Sequence, residues 1–298
     1  MRPTLAFLSL LAACSSTPPR DALAVLAQGE AELGEEHFAA ALSLLEGIGE
    51  APYVGEDLER YKLAVARAKF GSGDAWGAFG VLRRYLEDHP LTAHVTAVEN
   101  LTFEIGKLLI HGKGGFWFFW SDEDNGAFVL QHFVRRFPNS EHAADAYHLM
   151  GELEFARGNW TAAQEHFRQI TMFHDRSPWL SKALFRDAMA GFHALAGPQY
   201  DLRSLERTRR ELQSYITGEE ENLDFKREAQ SALATTEEWL ARKHVDIADF
   251  YAVVDNAAGH RLHLERAAAE FPDTAAGQEA RQRLATFAAA VPPPTPAR

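Results

Sequence analysis

From Asp21 onward the apolar residues recur at spacings of three and four, and strand-like alternation is scarce. That is the period of helices with one buried face. Gly and Pro cluster between these stretches, as expected of breaks between helices. Three stretches share an internal pattern. Residues 58–90 contain Ala66, a Gly73-Asp74 turn, then Ala78, Leu82, Tyr85 and Pro90; residues 144–178 contain Gly151, Gly158-Asn159, Trp160, Ala163, Phe167, Ile170 and Pro178. Residues 22–53 add Gly29, Phe38, Ala41, Leu45, Ile48 and Pro52. In each, a small residue precedes a large one by four, an offset that lies along one helix face. The small anchors Ala41, Ala78, Gly126 and Ala163 are 37, 48 and 37 residues apart, so the unit is a helix pair of variable length.

This arrangement resembles the tetratricopeptide repeat, a helix-turn-helix of about 34 residues. The resemblance implies an all-α superhelix of about five such units over residues 21–290. Small residues let paired helices approach, large ones fill the space around the contact, and a proline ends the second helix because it lacks an N–H. Two positions depart from it in the last unit, where Asp255 stands at the turn glycine and His260 at the small residue. An insertion, His111 to Asn125, separates the helices of the third unit. Residues 197–240 read as a long charged helical stretch, and Ser204 to Lys243 lacks a sustained coiled-coil heptad.

Composition narrows the possible roles. The 298 residues carry a formal net charge of −12, from 42 acidic and 30 basic side chains. Such a balance argues against a nucleic-acid groove, which neutralises phosphates with Lys and Arg, and against electrostatic adhesion to an anionic bilayer. Cys14 is the single cysteine, so an intramolecular disulfide and a cysteine zinc cluster are both excluded. Mean hydropathy is −0.26, and no apolar run reaches the ~18 residues of a spanning helix.

The cysteine has a context. Met1-Arg2 and the apolar Leu5 to Ala13 form a short signal-peptide pattern, and Leu11-Ala12-Ala13-Cys14 resembles a bacterial lipobox. That resemblance implies a signal peptide over 1–13, removed by cleavage before Cys14, acylation of Cys14, and a flexible tether over 14–20. More than one acyl chain gives stable anchoring. The Pro-rich residues 291–298 predict a disordered tail.

Second helices end in Phe137-Pro138-Asn139-Ser140-Glu141 and Phe271-Pro272-Asp273-Thr274, where polar side chains accept from the N–H groups that open the next helix. Near the C-terminus, Leu240-Ala241-Arg242-Lys243-His244 leads to Ile247-Ala248-Asp249-Phe250-Tyr251 and Leu264-Glu265-Arg266. Together with the lipobox, these motifs resemble the BamD (YfiO/ComL) family of outer-membrane-protein assembly lipoproteins. The resemblance implies a lipid anchor at the periplasmic face of the outer membrane, and two kinds of partner: unfolded outer-membrane proteins and a BamA-type barrel subunit. An aromatic-accepting groove is then expected, with Phe38, Tyr61, Trp76 and Phe79 as candidate linings or, equally, core. A different repeat lipoprotein serving envelope or cell-wall processes is the alternative.

Other candidate chemistry is thin. His111-Gly112-Lys113-Gly114-Gly115 lacks the phosphate-loop spacing and a following Ser or Thr. Phe116-Trp117-Phe118-Phe119-Trp120 cannot all face one side of an element, so Phe116, Trp117 and Trp120 are candidates for contact with a partner or the membrane interface; a plug in the chain's own groove is the competing reading. Asp122 to Asp124 suit the start of a helix. The thirteen histidines form no dense ligand motif, and neither a metal nor any other cofactor is expected. With no nucleophile elbow and the cysteine assigned to lipid, the chain reads as a binding protein rather than an enzyme.

Overall fold

The computed structural model describes residues 20–112, 122–195, 197–218 and 222–290. Cys14, the aromatic run 116–120 and the tail 291–298 lie outside the described residues. Among those described, all regular structure is helical, in thirteen helices. The chain divides into two compact units, Met1–Ser140 and Glu141–Arg298.

The first unit holds α1 (Arg20–Gly34), α2 (Phe38–Ile48), α3 (Gly55–Gly71), α4 (Ala75–Asp88), α5 (Val95–Ile110) and α6 (Asp122–Arg136). Each packs on the next, and α3 also touches α1 and α5. The second unit holds α7 (Ala143–Ala156), α8 (Trp160–Phe173), α9 (Leu180–His193), α10 (Leu202–Thr217), α11 (Leu223–Val253), α12 (Ala257–Glu270) and α13 (Ala275–Ala290). Here α7 to α13 also pack in sequence, with α11 touching α9 and α13. The long charged helical stretch is divided between two helices, since α10 ends at Thr217 and Asn222 starts α11. Its side chain accepts from the N–H groups of Asp224 and Phe225 at 3.1 Å each.

Four of the connections are one turn built four times. Gly73 N–H donates to Phe70 O and Asp74 N–H to Lys69 O; Gly158 and Asn159 repeat this toward Phe155 and Glu154. Glu36 with His37 and Asp255 with Asn256 make the same pair of bonds. This is the Schellman ending, which requires one residue in the left-handed region. Gly73 and Gly158 take φ of 90° and 76° there, while Glu36 and Asp255 take 60° and 55° without being glycine.

A constant register surrounds the turn. Seven residues before it stand the buried Gly29, Ala66, Gly151 and Ala248; five after it stand Ala41, Ala78, Ala163 and His260; nine after it stand Leu45, Leu82, Phe167 and Leu264. The four large side chains are fully enclosed. The fit is tight: a Cβ built on Gly151 would lie 2.7 Å from the Phe167 ring, and one on Gly29 2.8 Å from Leu45. The α5–α6 pair has the small-to-large contact too, between Gly106 and Leu130. A Cβ on Gly126 would lie 2.3 Å from the Ile110 backbone nitrogen, an approach only glycine allows. In α12 the unexpected His260 is buried, and its Nδ1 donates to Ala248 O at 2.8 Å. A bonded imidazole thus occupies the position of the small side chain.

Candidate functional site

Of the sequence-nominated residues in the first unit, three are packed into it to different degrees. Phe38, which opens α2, is half-buried and lies where a Cβ on Gly71 would meet its ring. Tyr61 on α3 is buried, stacks on Tyr53 with centroids 4.8 Å apart, and donates its hydroxyl to Leu45 O at 3.2 Å. Burial, reinforced by the nearby Glu50 charge, pushes the Tyr61 phenol up to about 12. Phe79 on α4 is likewise enclosed. Each of these faces is spent on joining neighbouring helices, which the 3.6-residue period assigns to the inner stripe.

Trp76 is different. It lies three residues before Phe79, yet 47% of it is exposed, as is 45% of Phe128 on α6. The two rings approach to 6.1 Å between centroids, and Phe79 supports both from below, 5.7 Å from Trp76 and edge-on to Phe128 at 6.0 Å. They border a cavity of about 410 Å³ that Arg83, Asp124 and Asn125 also line. His132, one turn beyond Phe128, sets its ring edge-on to Phe79 at 5.4 Å. Its Nε2 is buried with no hydrogen-bond partner. Burial pulls its pKa below the ordinary histidine value, and Arg135 and Arg83 act in the same direction. The imidazole is therefore neutral near pH 7 and adds to the apolar floor. An aromatic side chain laid against Trp76 and Phe128 would meet two ring faces and keep a polar rim of one cation and one carboxylate.

The sequence nominates Trp76, as lining or core, and does not nominate Phe128. The available signal was Gly126: it fixes the packed face of α6, and a residue two positions on points away from that face.

In the second unit, α9 and α10 leave a groove of about 390 Å³. Its walls include Leu180 and Leu184 of α9 and Tyr215 of α10, with Asp187 and Glu211 also lining it. Arg168 of α8 reaches both carboxylates at 3.2 Å, and Gln164 donates to Asp187 at 3.0 Å. Burial raises the pKa of Asp187 even against the Arg168 charge. Glu211 is raised too, first by burial and then by the charge of Asp187. The separation of 24 positions between the two acids hid this pairing in the sequence.

Among the described residues, no three His, Cys, Asp or Glu side chains converge as a metal site, and no helix is long and apolar enough to cross a membrane. Fold and surfaces define an all-α array of sequentially packed helices with open side-chain cavities. No protein-family model matches the chain, and no curated protein matches it.

Proposed function

We propose that this chain is a lipid-anchored helical-repeat adaptor of the bacterial envelope, and that it binds polypeptides rather than transforming a substrate. The observation that carries the binding role is the exposed Trp76–Phe128 pair over its cavity. Two large aromatics from neighbouring helices left half in water, with a third ring beneath, are the usual anchor of a protein contact. The repeated helix hairpin supports the same role, since stacked hairpins present side chains from successive helices to an extended partner. The finer assignment is tetratricopeptide-like repeats of a BamD-type lipoprotein, anchored through Cys14 at the periplasmic face of the outer membrane. It rests on the lipobox, the Phe-Pro stops and the C-terminal motif order. In that assignment the partners are unfolded outer-membrane proteins and a BamA-type barrel subunit.

Affinity isolation from gently solubilised envelope tests this. Recovery of a BamA-type subunit with the wild-type chain is the expected result, reduced by Trp76→Ala with Phe128→Ala if that surface contributes. Recovery of cell-wall synthesis or constriction proteins alone would replace the assembly role with the other envelope role. A mass spectrum showing an unmodified Met1 terminus would remove the anchor.

A further inference from the structure

The α9–α10 groove is unlike the aromatic cavity in its chemistry. Leu180, Leu184 and Tyr215 give it apolar sides, with Leu184 44% exposed at the opening. Asp187 and Glu211 lie in the same lining, and among the described residues one cation, Arg168, is bonded to them. Arg168 spends Nε on Asp187 and one terminal nitrogen on Glu211 Oε1. Gln164 Nε2 adds bonds to the Asp187 carboxylate and carbonyl at 3.0 Å each. Two carboxylates against one guanidinium leave an excess negative charge in partly desolvated surroundings, a costly arrangement unless a further cation joins it. Arg207 and Arg210 act on Glu211 only through their fields, and Arg210 sits exposed where it lines the groove.

We infer that this groove receives a lysine or arginine side chain of a partner polypeptide, its hydrocarbon stem along Leu180, Leu184 and Tyr215 and its charged end at Glu211 and Asp187. Long basic side chains combine an apolar stem with a charged tip, and the groove lining offers both kinds of surface. Charge-assisted hydrogen bonds to carboxylates are the stronger kind. The raised carboxyl pKa values add a linkage. A bound cation favours the ionised acids, so binding releases protons and tightens as pH rises through the range where Asp187 and Glu211 ionise. The groove belongs to the second unit, so this inference stands or falls apart from the role given to Trp76 and Phe128.

Titration of the full chain with N-acetyl-lysine methylamide, followed by NMR, is the test. N-acetyl-norleucine methylamide serves as the neutral match and N-acetyl-leucine as the anionic one. The lysine probe should bind, the norleucine probe at least tenfold more weakly, and affinity should rise with pH through the range where the two acids ionise. Glu211→Gln should weaken lysine binding at least tenfold with helicity unchanged. Leu184→Ala, at the half-exposed wall, should weaken it without touching the acids, which covers the case in which Glu211→Gln misfolds. Arg210→Ala should leave binding intact or tighten it. Absence of lysine binding, equal binding of norleucine, or selective binding of the leucine carboxylate that is lost in Arg210→Ala would each overturn the inference.

Discussion

The α7–α8 and α11–α12 hairpins follow the same backbone path with different residues. Gly158 and Asp255 make corresponding turn bonds and both have positive φ. Before the turn, Gly151 admits the Phe167 ring, whereas Ala248 lies beside a buried histidine that bonds its carbonyl. One hairpin is held by close packing of a large ring on a glycine. The other keeps the register with a polar bond and accepts a non-glycine residue in the left-handed region. The repeated element is therefore a hydrogen-bonded turn and a spacing, and glycine is one way of satisfying each.

Substitutions can break this contrast. Gly151→Leu should be the most damaging, because the added atoms enter the space of the Phe167 ring; overpacking of this kind costs about 3 kcal/mol. Chemical denaturation should show that loss, with partial recovery on adding Phe167→Ala. The next effect is on acid stability and is read at His148 of the α7–α8 hairpin. His148 stacks on Trp179 with centroids 3.7 Å apart, and burial, aided by the Lys182 charge, lowers its pKa to about 4. A depressed histidine pKa stabilises the fold above the unfolded value near 6.5, and that stability is lost as pH falls toward 4. Melting temperature should drop across that window, and His148→Phe should flatten the drop.

Exchanging the turn residues comes third. Gly158→Asp should destabilise and Asp255→Gly should stabilise, each by about 1 kcal/mol, since L-residues are strained at positive φ. The smallest difference is at the caps. Asn256 accepts from Gly259 N–H at 2.9 Å, while the Asn159 side chain makes no cap bond and donates to Glu154 instead. Asn256→Ala should cost ~1 kcal/mol and Asn159→Ala only a few tenths. Equal costs would mean that the two caps work alike.

Much of the register could be read from the chain because small residues at fixed offsets from a turn leave a visible trace. Ala41, Ala78 and Ala163 sit where that trace put them, all fully buried. Asp255 and His260 resisted reading because their places are secured by backbone bonds and by one imidazole bond, neither of which has a residue-type signature. The aromatics show another limit. Trp76 and Phe79 look alike in sequence as lining candidates, and only the packing of α4 separates an enclosed ring from a half-exposed one. Asp187, Glu211 and Arg168 meet from three helices, so no local pattern could announce them.

The proposed role has the exposed aromatic surface of the first unit in contact with polypeptide partners in the envelope. A photo-reactive phenylalanine analogue placed at Phe128 in living cells tests it most directly, with the same analogue at the solvent-facing Leu91 as the control. The account predicts crosslinks from position 128 to outer-membrane proteins or to a BamA-type subunit, well above those from position 91. Yields from position 128 no higher than the control would contradict it.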